Sequence, residues 1–226
     1  MNPFLLVTDS NADMVPGFAA ANHVTEMELT YTIDNKTYFC NDPALSRPDF
    51  YAMMRKGKMP ITAQINLEDA KAKLTPLLDA GNDVLAIMWL AAEELSAQYP
   101  NRQIIVMDSL CASAGLGLLI DRAVRYKEAG MSLEECADRI QEDIPHMAHL
   151  FTVDDLFHLH RGGRVSVTAA VVGSMLGIKP VLHVDDLGRL IPTGKVRGRK
   201  ASLTALVDNM EKQIDREHCD RFFLSH

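Results

Sequence analysis

Two short segments of the chain repeat the same chemistry. Val7-Thr8-Asp9-Ser10 and Val106-Met107-Asp108-Ser109 each place an aspartate and a serine directly after an apolar run. If both runs are strands of one open parallel sheet, their carboxyl ends share a rim, and ligands bind in the crevice along such a rim. Asp9, Ser10, Asp108 and Ser109, joined by Thr62 from Ile61-Thr62-Ala63-Gln64, would line that crevice with hydroxyls and carboxylates. Asp and Ser are also ordinary turn and cap residues, so each pair alone is open to a purely local explanation.

A second chemistry is cationic. Thr193-Gly194-Lys195-Val196-Arg197-Gly198-Arg199-Lys200 carries four cations in eight residues, and Arg161-Gly162-Gly163-Arg164 adds two beside a glycine pair. Arginine forks pair bidentately with phosphate or carboxylate. From Arg161 to Lys200 there are eight basic and two acidic residues, a net +6 in a chain whose total is −7, so the remainder carries −13. Such an island suits a local anion or an acidic partner. It does not suit general nucleic-acid binding, because most of the surface would repel phosphates.

Other candidates are weaker. Asp108 through Gly117 is a small-residue turn opening a helix, but it is neither G-x-G-x-x-G nor a Walker loop. His146/His149 and His158/His160 lack a carboxylate or cysteine at a familiar spacing, so no metal is expected. No G-x-S-x-G elbow supports a serine hydrolase. Cys40, Cys111, Cys136 and Cys219 are scattered without a C-x-x-C, and the twelve methionines suit irregular core space.

The elements needed to position these residues are legible. Phe4–Val7, Asp83–Ile87 and Gln103–Met107 read as buried strands, and Val24–Ile33 as one further strand leading into an Asp34-Asn35-Lys36 turn. Helices are expected from Ser46 to Gly57, from Asn66 with a kink at Pro76, from Met88 to Gln98, from Ser113 to Ala129, and from Ser132 to about Asp143 behind a Ser132/Glu135 capping box. Strands alternating with helices argue for parallel βαβ units. Beyond Pro145, Thr152 with Asp155 caps a helix ending at Gly162-Gly163, and Ser166–Leu176 reads as another. Lys179–Val184 and Arg189–Val196 form a hairpin, Lys200–Ile214 a helix, and Arg221–Leu224 the start of a last strand. Two domains follow, 1–147 with an α/β/α parallel sheet and 148–226 with a smaller mixed-sheet α/β arrangement.

Ile87 ending a strand and Met88 beginning a helix leaves no room for the usual ~2–6-residue βα loop. A missing loop at 87/88 is therefore expected, and, because the chain stops at Ser225-His226 directly after an expected strand, a missing C-terminal segment as well. No apolar run reaches the ~20 residues needed to cross a bilayer, and the N-terminus lacks a basic region before Asp9, so a cytoplasmic location without stable membrane insertion is expected.

Taken in order, these blocks resemble the DegV family. The match is carried by Thr8-Asp9-Ser10 with Asp13, Pro60-x-Thr62-x-Gln64, Asp108-Ser109 through Ser113-x-Gly115-x-Gly117, Arg161-Gly162-Gly163-Arg164, Gly177-Ile178-Lys179-Pro180 and Lys195-Val196-Arg197-Gly198-Arg199-Lys200. The resemblance implies a two-domain fold similar to the dihydroxyacetone-kinase substrate subunit. It also implies a bacterial protein that holds a long-chain fatty acid and presents its carboxylate to a separate fatty-acid kinase, without catalytic power or cofactor of its own. On that basis Thr62 would donate its hydroxyl to the carboxylate, with Ala63, Asp9, Ser10, Asp108 and Ser109 around it. Arg164, Lys195, Arg197 and Arg199 would face the kinase or the transferring phosphate. The acyl chain would run between the domains, partly under Val167–Leu176. The chain departs from the family pattern at Thr62-Ala63-Gln64-Ile65, where Thr-Ser-Gln-Pro is usual, and in lacking a serine-rich loop at 87/88. The alternative is a phosphotransfer enzyme or kinase subunit for a small hydroxy compound, built around Asp9, Asp108 and Ser109.

Overall fold

A computed structural model describes residues 4–40, 42–88, 93–166 and 177–226. Contacts divide the chain into two compact units, Met1–Ile144 with Ser225–His226, and Pro145–Leu224.

The first unit is built on a four-stranded parallel sheet. Its strands are β1 (Phe4–Asp9), β2 (Val24–Met27), β6 (Asp83–Ile87) and β7 (Ile104–Met107), in the order β2-β1-β6-β7. All five residues of β6 are buried, as expected for a strand covered on both faces. Val7, Val84 and Ala86 pack against Ala70, Leu74 and Leu78 of α3 (Leu67–Asp79). The alternate residues Leu6 and Leu85, which are in register, point to the opposite face, and there α5 (Ser113–Glu128) packs on β1 and α6 (Leu133–Asp143) on β6. Helix starts obey local chemistry. Asn66 Oδ1 accepts from Asp69 N–H at 2.8 Å, and Ser132 and Glu135 close a reciprocal capping box. α3 continues as one helix through Pro76 to Asp79, with Leu74 and Leu78 on either side of the proline buried in the core.

Between β2 and β6 the chain builds a small antiparallel sheet, β4-β3-β5, from β3 (Thr30–Ile33), β4 (Lys36–Phe39) and β5 (Ile61–Ala63). The expected single strand Val24–Ile33 is thus two. The break at Glu28-Leu29 is made from a distance: Ser10 Oγ takes the Leu29 N–H at 3.0 Å, and the Leu29 carbonyl accepts from Cys40. Asp34 and Asn35 both have positive φ, the requirement of a two-residue hairpin turn. Tyr31 and Tyr38 stack on one face of this sheet beneath Phe50 and Met53 of α2 (Arg47–Arg55), whose N-cap is Ser46. The short helices α1 (Phe18–Ala21) and α4 (Glu93–Gln98) complete the unit.

Met88 does not begin a helix. Its N–H bonds the Met107 carbonyl at 3.0 Å and its side chain is buried, so it continues the sheet. Residues 88–92 then separate β6 from α4, an ordinary βα length, which removes the geometric ground for a missing loop. Residues 89–92, part of the expected Met88–Gln98 helix, lie outside the described residues, as do residues 167–176 of the expected Ser166–Leu176 helix.

The second unit carries a three-stranded antiparallel sheet, β10-β9-β8, from β8 (Leu150–Phe151), β9 (Ile178–Val184) and β10 (Leu190–Arg197). Helices α7 (Leu156–Arg161) and α8 (Arg199–Gln213) accompany it, with Leu156, Val165 and Leu182 at its core. The hairpin turn is closed by Asp185, whose carboxylate accepts from the Leu187 and Arg189 N–H groups and pairs with the Arg189 guanidinium. The outer strand β10 carries Pro192 and a register shift before Gly194. Asp155 alone caps α7, taking the Phe157 N–H at 2.9 Å, while Thr152 donates instead to the Pro180 carbonyl at 2.7 Å. Arg221–Leu224 forms no strand: no neighbouring strand pairs with it among the described residues, and Phe222 and Leu224 are exposed.

Pro76 withholds the N–H that would close onto the Ala72 carbonyl. Pro76→Ala should raise unfolding stability by about 1–3 kcal/mol, measured by urea titration; an unchanged or lower midpoint would mean that the ring itself is needed in the packing.

Candidate functional site

In the order β2-β1-β6-β7, the connection leaving β1 goes one way and that leaving β6 goes the other. The carboxyl ends of β1 and β6 therefore flank the topological switch point, the place where open α/β sheets open a crevice. Thr8 lies at this point, fully buried, with its hydroxyl donating to the Ile87 carbonyl at 3.2 Å. A side chain thus closes the last rung between the two strands.

The predicted Asp-Ser pairs stand on this rim, each engaged with nearby backbone. Asp9 is 8% exposed and accepts from the Asn11 N–H at 2.8 Å. Burial pushes its carboxyl above the ordinary value, with the Asn11 hydrogen bonds opposing. Ser10 holds Leu29, as described, and so ties the rim to the start of the small sheet. Ser109 is 3% exposed, its oxygen accepting from the Cys111 N–H at 3.1 Å. Asp108 is exposed and accepts from the Leu110 N–H at 3.0 Å. Burial, with Asp108 nearby, pushes the Cys111 thiol up to about 12, so it stays protonated at neutral pH.

Thr62 and Ala63 sit on β5, an edge strand exposed along its length. Thr62 is paired with Tyr31 and Ala63 with Thr30. Thr30 directly follows Leu29, the residue captured by Ser10, so the register brings the Thr62-Ala63 segment to the side of the rim that Ser10 marks.

One group was not singled out from sequence spacing. Asp13 accepts hydrogen bonds from the Ser113 hydroxyl and, at 2.6 Å, from the Ser225 hydroxyl, while its N–H reaches the Ser113 carbonyl at 3.1 Å. Ala112, the N-cap of α5, offers no side-chain acceptor, and the Asp13 carboxylate sits at that positive end instead. The Asp13 carboxylate is thus held by two serine hydroxyls beside the start of α5. Only the order of the motifs, with Asp13 three residues past Ser10, hinted at it.

In the second unit, several cations of the basic island are already paired. Lys179 meets Asp154 at 2.7 Å, Arg161 meets Asp155 at 3.4 Å and Arg189 meets Asp185 at 2.7 Å. Asp154 and Asp155 precede the island in sequence. Lys179 first, then Arg199, hold the Asp154 carboxyl below its usual range. Among the described residues, no carboxylate comes within 4 Å of Lys195, Arg197 or Lys200. Lys195 and Arg197 are exposed on β10 and share a face by strand alternation. Arg164 Nη1 donates to the Gly162 carbonyl at 2.7 Å. No cluster of three or more His, Cys, Asp or Glu placed to hold a metal occurs among the described residues. No described helix is long and apolar enough to cross a membrane.

A family model for uncharacterised proteins of the DegV family matches residues 3–226. The chain is 36% identical over 239 aligned positions to a DegV domain-containing protein of Clostridium perfringens, covering 100% of this chain and 82% of the relative. Those 239 positions exceed the 226 residues present, so the relative carries residues without a counterpart here. Among solved structures, a fatty acid binding DegV family protein of Streptococcus agalactiae is similar at 28% identity and a TM-score of 0.83, over 96% of this chain and 80% of that one. A DegV family protein of Thermus thermophilus, described for its fatty acid binding, gives 26% identity and a TM-score of 0.80, over 95% and 79%.

Thr8→Val leaves the Ile87 carbonyl buried without its donor and should destabilise by about 1–3 kcal/mol, whereas Thr8→Ser should recover most of the loss in denaturant titrations. Asp9→Asn keeps the acceptor for Asn11 but removes the charge. Because the native Asp9 pKa is raised, the native state holds its proton more tightly than the unfolded chain, and wild-type stability falls as pH rises from 3.8 through the raised value. Asp9→Asn should therefore melt higher than wild type at pH 7, with the gap closing as pH falls toward 3.8; equal melting at pH 7 would dismiss burial as the controlling influence.

Proposed function

Because the chain belongs to the DegV family, we propose that it binds a long-chain fatty acid and presents the carboxylate to a partner fatty-acid kinase. The observation carrying this reading is the likeness, at a TM-score of 0.83 over 96% of the chain, to a fatty acid binding protein of the family. Chain burial supplies the affinity, at about 0.8 kcal/mol per methylene. The head group needs only a few donors to fix its orientation.

In this reading the Thr62 hydroxyl donates to the carboxylate, beside Ala63, at a mouth framed by Asp9, Ser10, Asp108 and Ser109. The rim residues accept hydrogen bonds from backbone N–H groups, so the frame is set by the protein's own turns. A serine at position 63 would have supplied a second hydroxyl; alanine leaves Thr62 with more of the task. A carboxylate oxygen then attacks the γ-phosphorus of ATP on the kinase, the bond to ADP breaks, and an acyl phosphate results. Arg164, Lys195, Arg197 and Arg199 face that partner and the phosphate in transit. The protein itself contributes no catalyst. A cytoplasmic setting, where ATP and reduced thiols coexist, accords with its free cysteines.

Native mass spectrometry of protein purified from cells should show an added mass of fatty-acid size. Thr62→Val should weaken retention about tenfold, the loss of one charge-assisted hydrogen bond, when displacement of a fluorescent fatty acid is followed. A ligand-free protein that transfers phosphate from ATP unaided would favour the small-hydroxy-compound alternative.

A further inference from the structure

Two adjacent glycines follow α7, and the fold accounts for only one. The helix ends in a Schellman motif: the Arg164 N–H bonds the Leu159 carbonyl at 2.9 Å and the Gly163 N–H bonds the His160 carbonyl at 2.8 Å. Gly163 occupies the left-handed position of that motif with φ +75°, so glycine is the natural residue there. Gly162 has φ −77° and ψ 0°, a right-handed conformation open to any residue. Its lack of a side chain needs another reason.

That reason is Arg164. A Cβ at position 162 would lie 2.7 Å from Arg164 Nη1 and 3.3 Å from its Cδ. The same Nη1 donates to the Gly162 carbonyl at 2.7 Å. The guanidinium is folded down onto the bare backbone of residue 162, in space that any other side chain would fill. We infer that Gly162 is a positioning residue, whose missing side chain seats Arg164 in one fixed pose for the partner. This rests on the reading of Arg164 as partner-facing. A cation held in place beforehand spares the complex the ordering of a long, rotamer-rich side chain on association. The planar fork also makes its orientation matter in a way a lysine's point charge would not.

The clash falls on the far end of a flexible side chain, so Gly162→Ala can keep the helix end and simply dislodge the guanidinium. The first measurement needs no partner: side-chain NMR of the Arg164 Nε–Hε group. It should be ordered in wild type and averaged in Gly162→Ala, with melting temperature and bound fatty-acid mass unchanged, whereas Gly163→Ala should lower the melting temperature. The second uses fatty-acid-loaded protein, ATP and a purified fatty-acid kinase, with acyl phosphate as the product measured. Gly162→Ala should raise the KM for the loaded protein about 3–10-fold, as expected for one side chain no longer pre-ordered, with kcat held. The double variant Gly162→Ala/Arg164→Ala should be no worse than Arg164→Ala alone. An Arg164 already averaged in wild type, or additive effects in the double variant, overturns the inference. If Arg164 is seated as described but Arg164→Ala leaves KM unchanged, the partner-facing reading falls, and the positioning role with it.

Discussion

The pairing of β1 with β6 is the constraint from which the first unit follows. Leu6 against Leu85 and Val7 against Ala86 set a register in which both strands are buried on two faces. A slip of one residue would exchange the layer facing α3 with the one facing α5 and α6. Fixing that register also fixes where the two chain directions diverge, and with it the position of Thr8, Asp9 and Ile87. The switch point is thus a by-product of core packing. Its polar groups are aligned by residues that never need to meet a ligand.

Much of this was legible wherever the deciding interaction is short-range. Ser46, Asn66 and Ser132 cap their own helices within three residues, and Asp34-Asn35 turns its own hairpin, so sequence spacing alone locates them. Where the structure departs from local pattern, a distant residue decides. Ser10 breaks a strand 19 residues downstream, Met107 keeps Met88 in the sheet, and Pro180 draws Thr152 away from a cap it could have formed. No periodicity records such captures. Around the site, the Asp-Ser pairs were visible as a motif, but that their side chains are consumed by the Asn11, Leu29, Leu110 and Cys111 N–H groups is a matter of turn geometry.

Charge in the second unit shows the same division. Counted along the chain, the island from Arg161 to Lys200 is strongly positive. In space, Asp155, Asp154 and Asp185 pair with Arg161, Lys179 and Arg189, and among the described residues Lys195, Arg197 and Lys200 have no carboxylate within 4 Å. Ion pairs exposed in this way add little to stability. Their larger effect is to leave fewer of the island's cations available to an outside anion.

The outer strand of the second unit has a bearing on colloidal behaviour. Sheet borders with free backbone groups recruit other chains, and concentrated solutions of such proteins tend to polymerise. β10 combines an imino acid, an irregular step and protruding cations on that border, three devices that each spoil the template. Whatever docks there is thereby steered away from main-chain zippering and toward recognition by side chains, and crowded copies of the protein can share a compartment without templating fibrils along that margin.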